Sequence, residues 1–525
     1  MAFSLYRWQK QCIKEWLDGG GHGIVEVATG AGKTVLALFA AKALQERLER
    51  RLHLLILVPK TFLLGQWKQM LLTLEHELGY KRDEIGLVGG GMRQAHDKPV
   101  MIYVVNSARY RVSTLVAQQL KEGQPLMLIA DECHHYGSDE NRKVFSFLDV
   151  IDEAAKANYY SLGLSATPRI FCFDSVLVPA LGRLFYSYDV GQAIADGVVN
   201  DVVIFNIGLW MTSEQEEEYE ELSVKISLAM NKLKRLCPWL GDLPSNRFYG
   251  EVNRLTKDSR EAVSAAAMVL LTTLYKRRAL VYEAPQRIAC AFNLINLLSE
   301  KSTIIIFAER IEQSEALYEA LSKKMGNAVA MYHSEMGEVA RTLALRRYRF
   351  KEVRILVSCK ALDEGLDIPS ADVGIILAST SEQRQRIQRL GRILRKDEGK
   401  GTASLFYFSL LDTVEDTTLL SEGREEIEEM HLTWDGVFSH PAYDELAYTL
   451  LFRLEEKGLY SASVLRFITQ GRVRSDWRGT PQMLLALQQS AEDPATSAYY
   501  SVMRSLAMIR ERETWPLGFV PAVLP

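Results

Sequence analysis

The chain reads as an α/β protein of two tandem parallel-sheet lobes, with a mainly helical insertion between them and a helical extension after the second. Three observations predict this. Apolar runs rich in branched residues recur from Ile24 to Leu164 and again from Thr303 to Ala378, each ending in a polar or glycine-bearing segment. Helical patterns separate several of these runs, the layout of an open parallel sheet with its working residues at the carboxyl edge. The first run also meets a small-residue bend and then a helix, the order that a triphosphate site requires.

That stretch, Gly23–Thr34, is GIVEVATGAGKT. Thr29, Gly30, Ala31 and Gly32 form a cradle whose backbone N–H groups, with the N-terminus of the following helix, suit the phosphates of ATP. Gly30 and Gly32 let the backbone come close, where a side chain would hold it away. Lys33 is placed to reach the β- and γ-phosphates, and the Thr34 hydroxyl to ligate Mg²⁺. Val27 stands where the generic pattern G-x-x-x-x-G-K-[ST] has its first glycine. The strand before and the helix after supply the context that the motif needs.

At 525 residues the chain is too long for one core, and its 48% hydrophobic and 24% charged residues are ordinary for a soluble protein. A formal net charge of −4 excludes a generally cationic nucleic-acid sponge but not local basic tracks. Six cysteines without a CxxC pair or a Cys/His ligand spacing argue for reduced thiols and no zinc. With no signal-like start and no membrane-length apolar run, the expectation is a cytoplasmic protein with no membrane partner.

Ahead of the loop, LYRWQKQCIKEW (Leu5–Trp16) has an amphipathic helical pattern. Gln9 is a candidate reader of the adenine edge, since an amide both donates and accepts, with Arg7 as its neighbour. The plainer reading is a surface Gln and Arg on a helix. Downstream, LMLIADECHH (Leu126–His135) is an apolar strand ending in two acids. Asp131 suits Mg²⁺, and Glu132 suits orientation of the attacking water. His134 would couple this site to Ser165 and Thr167 in YYSLGLSATP (Tyr159–Pro168).

In the second lobe, TIIIFAER (Thr303–Arg310), RILVSCKALDEGLDIP (Arg354–Pro369) and VGIILAS (Val373–Ser379) repeat the strand rhythm without a phosphate loop. The segment QRQRIQRLGRILRK (Gln383–Lys396) is strongly basic. Arg392 and Arg395, three apart, share a helix face and suit stabilisation of charge on the transferring γ-phosphoryl group.

ATGAGKT, DECH and SATP, in that order, resemble the RecA-like first lobe of superfamily-two DEAD/DEAH-box helicases and translocases. LYRWQ resembles their glutamine motif and ILVPKTFLLGQW their motif Ia. TIIIFAER is similar to motif IV, ALDEGLDIP to motif V and QRLGRILR to motif VI. The layout is most similar to the branch holding XPB-type DNA helicases and the motor subunits of type I and III restriction enzymes. The resemblance implies nucleotide contacts at Gly365, Asp367, Gln388 and Arg389, and arginine fingers at Arg392 and Arg395. It implies nucleic-acid contacts near Pro59, Gln66, Gly90 and Ser107, with Arg384 and Arg386 as further candidates. Cys133 stands where DEAH proteins carry Ala.

The implied organisation is a first RecA-like lobe at 1–190, a linker and helical insertion at 191–300, a second RecA-like lobe at 301–410 and a helical extension at 411–525. The insertion carries interleaved basic and aromatic residues such as Lys232, Lys234, Arg235 and Trp239, either a nucleic-acid face or a solvated one. The acid-rich SEGREEIEEM opens the extension, a candidate docking piece for other subunits of a repair, restriction or defence complex. The leading functional expectation is an ATP- and Mg²⁺-dependent DNA helicase or translocase. The alternatives are an RNA helicase and a nucleotide-gated DNA clamp that does not unwind.

Overall fold

The computed structural model describes residues 4–93, 98–109, 111–243, 245–359, 371–378, 402–415, 428–436, 438–439 and 479–512. Among the described residues one compact unit holds 4–202 together with 371–372 and 402–403, and a second holds the rest.

The first unit is built on β1 (His22–Val27), β2 (His53–Val58), β3 (Ile85–Gly89), β4 (Met92–Arg93), β5 (Val100–Val104), β6 (Leu126–Asp131), β7 (Tyr159–Ser165) and β8 (Leu184–Tyr188). Their order in the sheet is β4-β3-β5-β2-β6-β7-β1-β8. All run parallel except the two-residue edge strand β4. Central strands such as β6 are buried along their whole length, which is why they read as unbroken apolar runs. The β3–β4 hairpin turns through Gly90 and Gly91, whose φ angles of +58° and +86° are those of a left-handed two-residue turn.

Because seven strands run the same way, their carboxyl ends share one edge. There, β6, β7 and β1 are adjacent and bring the DECH, SATP and phosphate-loop segments side by side. The ends of β3, β5 and β2 occupy the other half of the same edge.

The second unit carries β9 (Val202–Leu209), β10 (Ile304–Ala308), β11 (Val329–Tyr332), β12 (Ile355–Cys359), β13 (Val373–Ile376), β14 (Ala403–Leu410), β15 (Glu428–Trp434) and β16 (Phe438–Ser439). Their order is β11-β12-β10-β13-β14-β9-β15-β16. The sheet thus draws β9 from DVVIFNIGL, a strand-like run inside the stretch assigned to linker and insertion. It also takes β15 and β16 from the stretch read as a helical extension. In EEMHLTW the alternation places Met430, Leu432 and Trp434 against the core, while Glu429 on the other face accepts from Asn206 Nδ2 at 3.1 Å. A period of two was present, but the preceding run of glutamates favoured a helical reading. Farther along, the helices Pro481–Gln489 and Pro494–Arg512 agree with the helical expectation.

Between β9 and β10 the chain forms helices Ser213–Leu236, Ser245–Leu255 and Glu261–Tyr282, with a small core of their own around Leu233, Leu240, Val252 and Leu270. The first opens on Thr212, whose hydroxyl accepts from Gln215 N–H at 3.3 Å, while Gln215 accepts from Thr212 N–H at 2.9 Å.

Arg287, fully buried in the second unit, ties its helix to the sheet. Its Nε donates to the carbonyl of Val281 and its Nη1 to that of Phe408, both at 3.0 Å, and its Nη2 pairs with buried Glu415. Glu415 also accepts from Leu410 N–H at 3.0 Å. Arg287→Ala would strand this carboxylate in the core. The expected loss is about 3–5 kcal/mol of stability, read as a fall in the urea midpoint of the second unit. An unchanged midpoint would rule out a structural role for the pair.

Candidate active site

Three strand ends build the site. Beyond β1, Gly30 and Gly32 hold φ angles of +90° and +99°, left-handed backbone that side-chain-bearing residues rarely adopt. The helix α2 (Lys33–Leu48) starts directly after Gly32, so its first N–H groups face the bend. A side-chain carbon at Gly32 would come within 3.0 Å of Gln9 Nε2.

Lys33 Nζ donates to Glu132 Oε1 at 3.0 Å across 99 residues of sequence. Glu132, just past β6, has a φ of +45°, a strained value for a residue with a side chain. It continues a polar chain, since His134 Nδ1 lies 3.6 Å from Glu132 Oε2 and 2.8 Å from Ser165 Oγ. Ser165 Oγ in turn accepts from Thr167 N–H at 3.0 Å. The three residues expected to couple the site are therefore connected.

Asp131 is held separately. Trp67, on α3 (Thr61–Thr73), donates its Nε1–H to Asp131 Oδ2 at 2.8 Å, and Glu132 N–H donates to Oδ1 at 3.1 Å. Burial, then the neighbouring Glu132 charge, raises the Asp131 pKa. For Glu132 burial works in the same direction, but the Lys33 ammonium and then His134 outweigh it and hold the carboxyl below its ordinary range. Glu132 is thus the member of the pair that keeps its charge most readily.

The residues present fit a Mg²⁺ nucleotide. Thr29 Oγ1 and Thr167 Oγ1 are buried with no hydrogen-bond partner among the described residues, so the site has polar capacity to spare. Among the described residues no group of three or more His, Cys, Asp or Glu forms a metal cage. Mg²⁺ takes most of its ligands from phosphate and water. Thr34 and Asp131 would hold the ion, which supplies charge neutralisation between the phosphates when bound.

Comparisons with known proteins bear on the family and the fold. Residues 2–170 match the family model "Type III restriction enzyme, res subunit", and residues 286–397 match "Helicase conserved C-terminal domain". The DNA 3'-5' translocase XPB2 of Sulfurisphaera tokodaii is 28% identical over 396 residues, covering 74% of this chain and 78% of the relative. The crystal structure of the Pyrococcus furiosus Hef helicase domain superposes with a TM-score of 0.50 at 15% identity, over 79% of this chain and 97% of that one. That of the DUF1998 helicase MrfA bound to DNA and AMPPNP gives 0.50 and 15%, over 82% and 52%. The chain belongs to the superfamily-two helicases, on their XPB- and ResIII-like branch.

In this helicase Gln9 is buried on α1 (Arg7–Asp18), not at the surface. Its Oε1 accepts from Tyr6 N–H at 3.0 Å, and its Nε2 donates to the carbonyl of Gly32 at 3.2 Å. The amide anchors the phosphate loop and has one N–H and one lone pair beyond these two bonds. Arg7 is exposed at the helix start.

The helicase's candidate nucleic-acid residues lie at the other half of the carboxyl edge. Pro59 is buried just past β2, Gln66 is half-buried on α3, and Gly90 and Ser107 are exposed past β3 and β5. Gly90 cannot be replaced cheaply, because a side-chain carbon there would meet Thr61 Cγ2 at 2.1 Å. Gly365, Asp367, Arg384, Arg386, Gln388, Arg389, Arg392 and Arg395 lie outside the described residues. A cavity of about 680 Å³ lined by His22 and Tyr159 sits at the strand starts, away from this chemistry.

Trp67 is the residue that sequence reasoning passed over. Its signal was an indole in the helix after the Pro59 turn, and nothing local says where the N–H points. The Trp67→Phe variant keeps a ring and removes the donor from Asp131. We expect the Mg²⁺ concentration for half-maximal ATP turnover to rise about tenfold, since a hydrogen bond to a charged group is worth ~1.5–3 kcal/mol. An unchanged Mg²⁺ dependence would reduce Trp67 to a packing residue.

Glu132→Gln should separate binding from chemistry. Removing the carboxylate frees Lys33 for phosphate and takes a negative charge from the pocket, so ATP should bind more tightly. Turnover should fall about 10²–10⁴-fold with the loss of the group that orients and deprotonates water. Nucleotide titration beside single-turnover hydrolysis reads both, and a joint fall would make Glu132 merely structural.

Proposed function

We propose that this helicase is an ATP-dependent motor on DNA, coupling hydrolysis at the first lobe to translocation or strand remodelling. The observation that carries the reading is the chain Lys33–Glu132–His134–Ser165, which crosses three adjacent strand ends. It links the phosphate cradle to the segment after β7, so a change at the γ-phosphate position is felt along the sheet edge. Trp67 adds a second link, from the β2–α3 segment to Asp131.

In this reading Lys33 and the N–H groups of the loop bind the triphosphate, Glu132 orients the attacking water, and His134 reports the state of Glu132 to Ser165 and Thr167. Arg392 and Arg395, by the resemblance of their segment to motif VI, supply the cations that stabilise charge on the γ-phosphoryl group. The name of the Sulfurisphaera tokodaii relative, a DNA translocase, supports DNA as the polymer.

The test is steady-state ATP turnover with no polymer, duplex DNA, single-stranded DNA and RNA. Stimulation by DNA is the expected result. Stimulation by RNA alone would overturn the choice of polymer, and ATP-dependent DNA binding with no strand or triplex displacement would leave a nucleotide-gated clamp.

A further inference from the structure

The helical insertion carries a feature that the ATP site does not use. Between Lys225 and Arg278 there are eleven Lys and Arg against four Asp and Glu, an excess of seven positive charges in a chain whose formal net charge is −4. Such local asymmetry marks a surface for a polyanion.

Geometry narrows the site. A concave cavity of about 880 Å³ is lined by Trp239, Arg247, Arg254, Lys257 and Arg260, among others. The helix Ser245–Leu255 packs Phe248, Val252 and Leu255 inward, so that Arg247 and Arg254, two turns apart, fall on its other face. Trp239, just past the end of the Ser213–Leu236 helix, is 44% exposed at the rim, whereas the small core beneath is closed by Leu233 and Leu240. Two acids share the cavity, Glu251 at 3.5 Å from Arg254 and Asp258 at 2.9 Å from Arg260. They leave the lining net positive.

An exposed indole beside several guanidinium and ammonium groups is a poor packing solution but a good seat for a strand with free bases. Cations take the phosphates and the ring takes a base face, with no demand on sequence. We propose that this cavity is a binding site for single-stranded DNA, separate from the carboxyl edge of the first sheet. It deepens the proposed function by naming a second contact for the same polymer, and it stands on the insertion alone.

The experiment uses the full chain and a fluorescent oligo-dT, titrated by anisotropy over a salt series. Trp239→Ala should weaken binding about 5- to 150-fold, and Trp239→Phe should restore most of it. The double variant Arg254→Gln, Lys257→Gln should lower the slope of log affinity against log salt by about 1.4, some 0.7 for each lost phosphate contact. Duplex DNA of equal length should lose less affinity in Trp239→Ala, since its bases are already stacked. ATP turnover without polymer should equal that of the parent in every variant, because none of these residues touches the phosphate loop.

Parent-like affinity and salt slope in the variants would overturn this site while leaving the motor reading intact, provided that DNA still stimulates turnover. An equal loss for duplex and single strand would overturn the stacking role. A parent chain that binds no DNA would sink both readings.

Discussion

Arg392→Ala is expected to leave ATP binding nearly unchanged and to slow hydrolysis by about 10³–10⁵-fold, the range of arginine fingers generally. The expectation comes from the pattern Gln388-Arg389-x-Gly391-Arg392-x-x-Arg395 and from its resemblance to motif VI. A guanidinium acts on charge that grows on the γ-phosphoryl oxygens during transfer. Its loss therefore falls on the chemical step more than on the bound ground state. Nucleotide affinity from a fluorescent analogue, set beside single-turnover hydrolysis, separates the two. If affinity collapses while the remaining bound fraction hydrolyses at the parent rate, Arg392 binds ground-state phosphate and is no finger.

Lys33→Ala is expected to abolish ATP turnover altogether. Two losses combine. The ammonium that meets the β- and γ-phosphates is gone, and Glu132 loses the partner now 3.0 Å from it. Without Lys33, Asp131 and Glu132 face each other as adjacent acids with no nearby cation from the loop. The Glu132 carboxyl, now held low mainly against the cost of burial, should then rise. Its fitness as a water-orienting base at neutral pH would fall as well. Circular dichroism should show a folded chain, because both side chains sit at a partly open site (11% and 19% exposed) and not in the core. Turnover at the parent rate would mean that the loop holds something other than a triphosphate.

Which parts of this were legible in the sequence follows from how far apart the cooperating residues lie. The phosphate loop is contiguous, so composition and order were enough to find it. The acids after LMLIA and the hydroxyl residues after YYSLGL were visible for a similar reason, because a buried parallel strand announces its own end. The second sheet was less legible. Strand β9 read as strand-like in DVVIFNIGL, but its place beside β14 did not show, and β15 hid behind a run of glutamates, because its apolar face is buried only once β9 lies beside it. Gln9 reads the same way. An amphipathic helix pattern allowed a surface position, and its burial depends on the loop folding beneath it.

By itself, the sequence determined that the chain holds a triphosphate cradle, acids at a strand end and a basic, Gly-containing segment far downstream, because each is local. Only the tertiary structure decided that Lys33 pairs with Glu132, that Trp67 steers Asp131 and that Trp239 stands at a cationic hollow. The first two pairs are 99 and 64 residues apart, and even the nearer residues of the hollow meet only through helix packing, so which side chains come together is information that local sequence pattern does not contain.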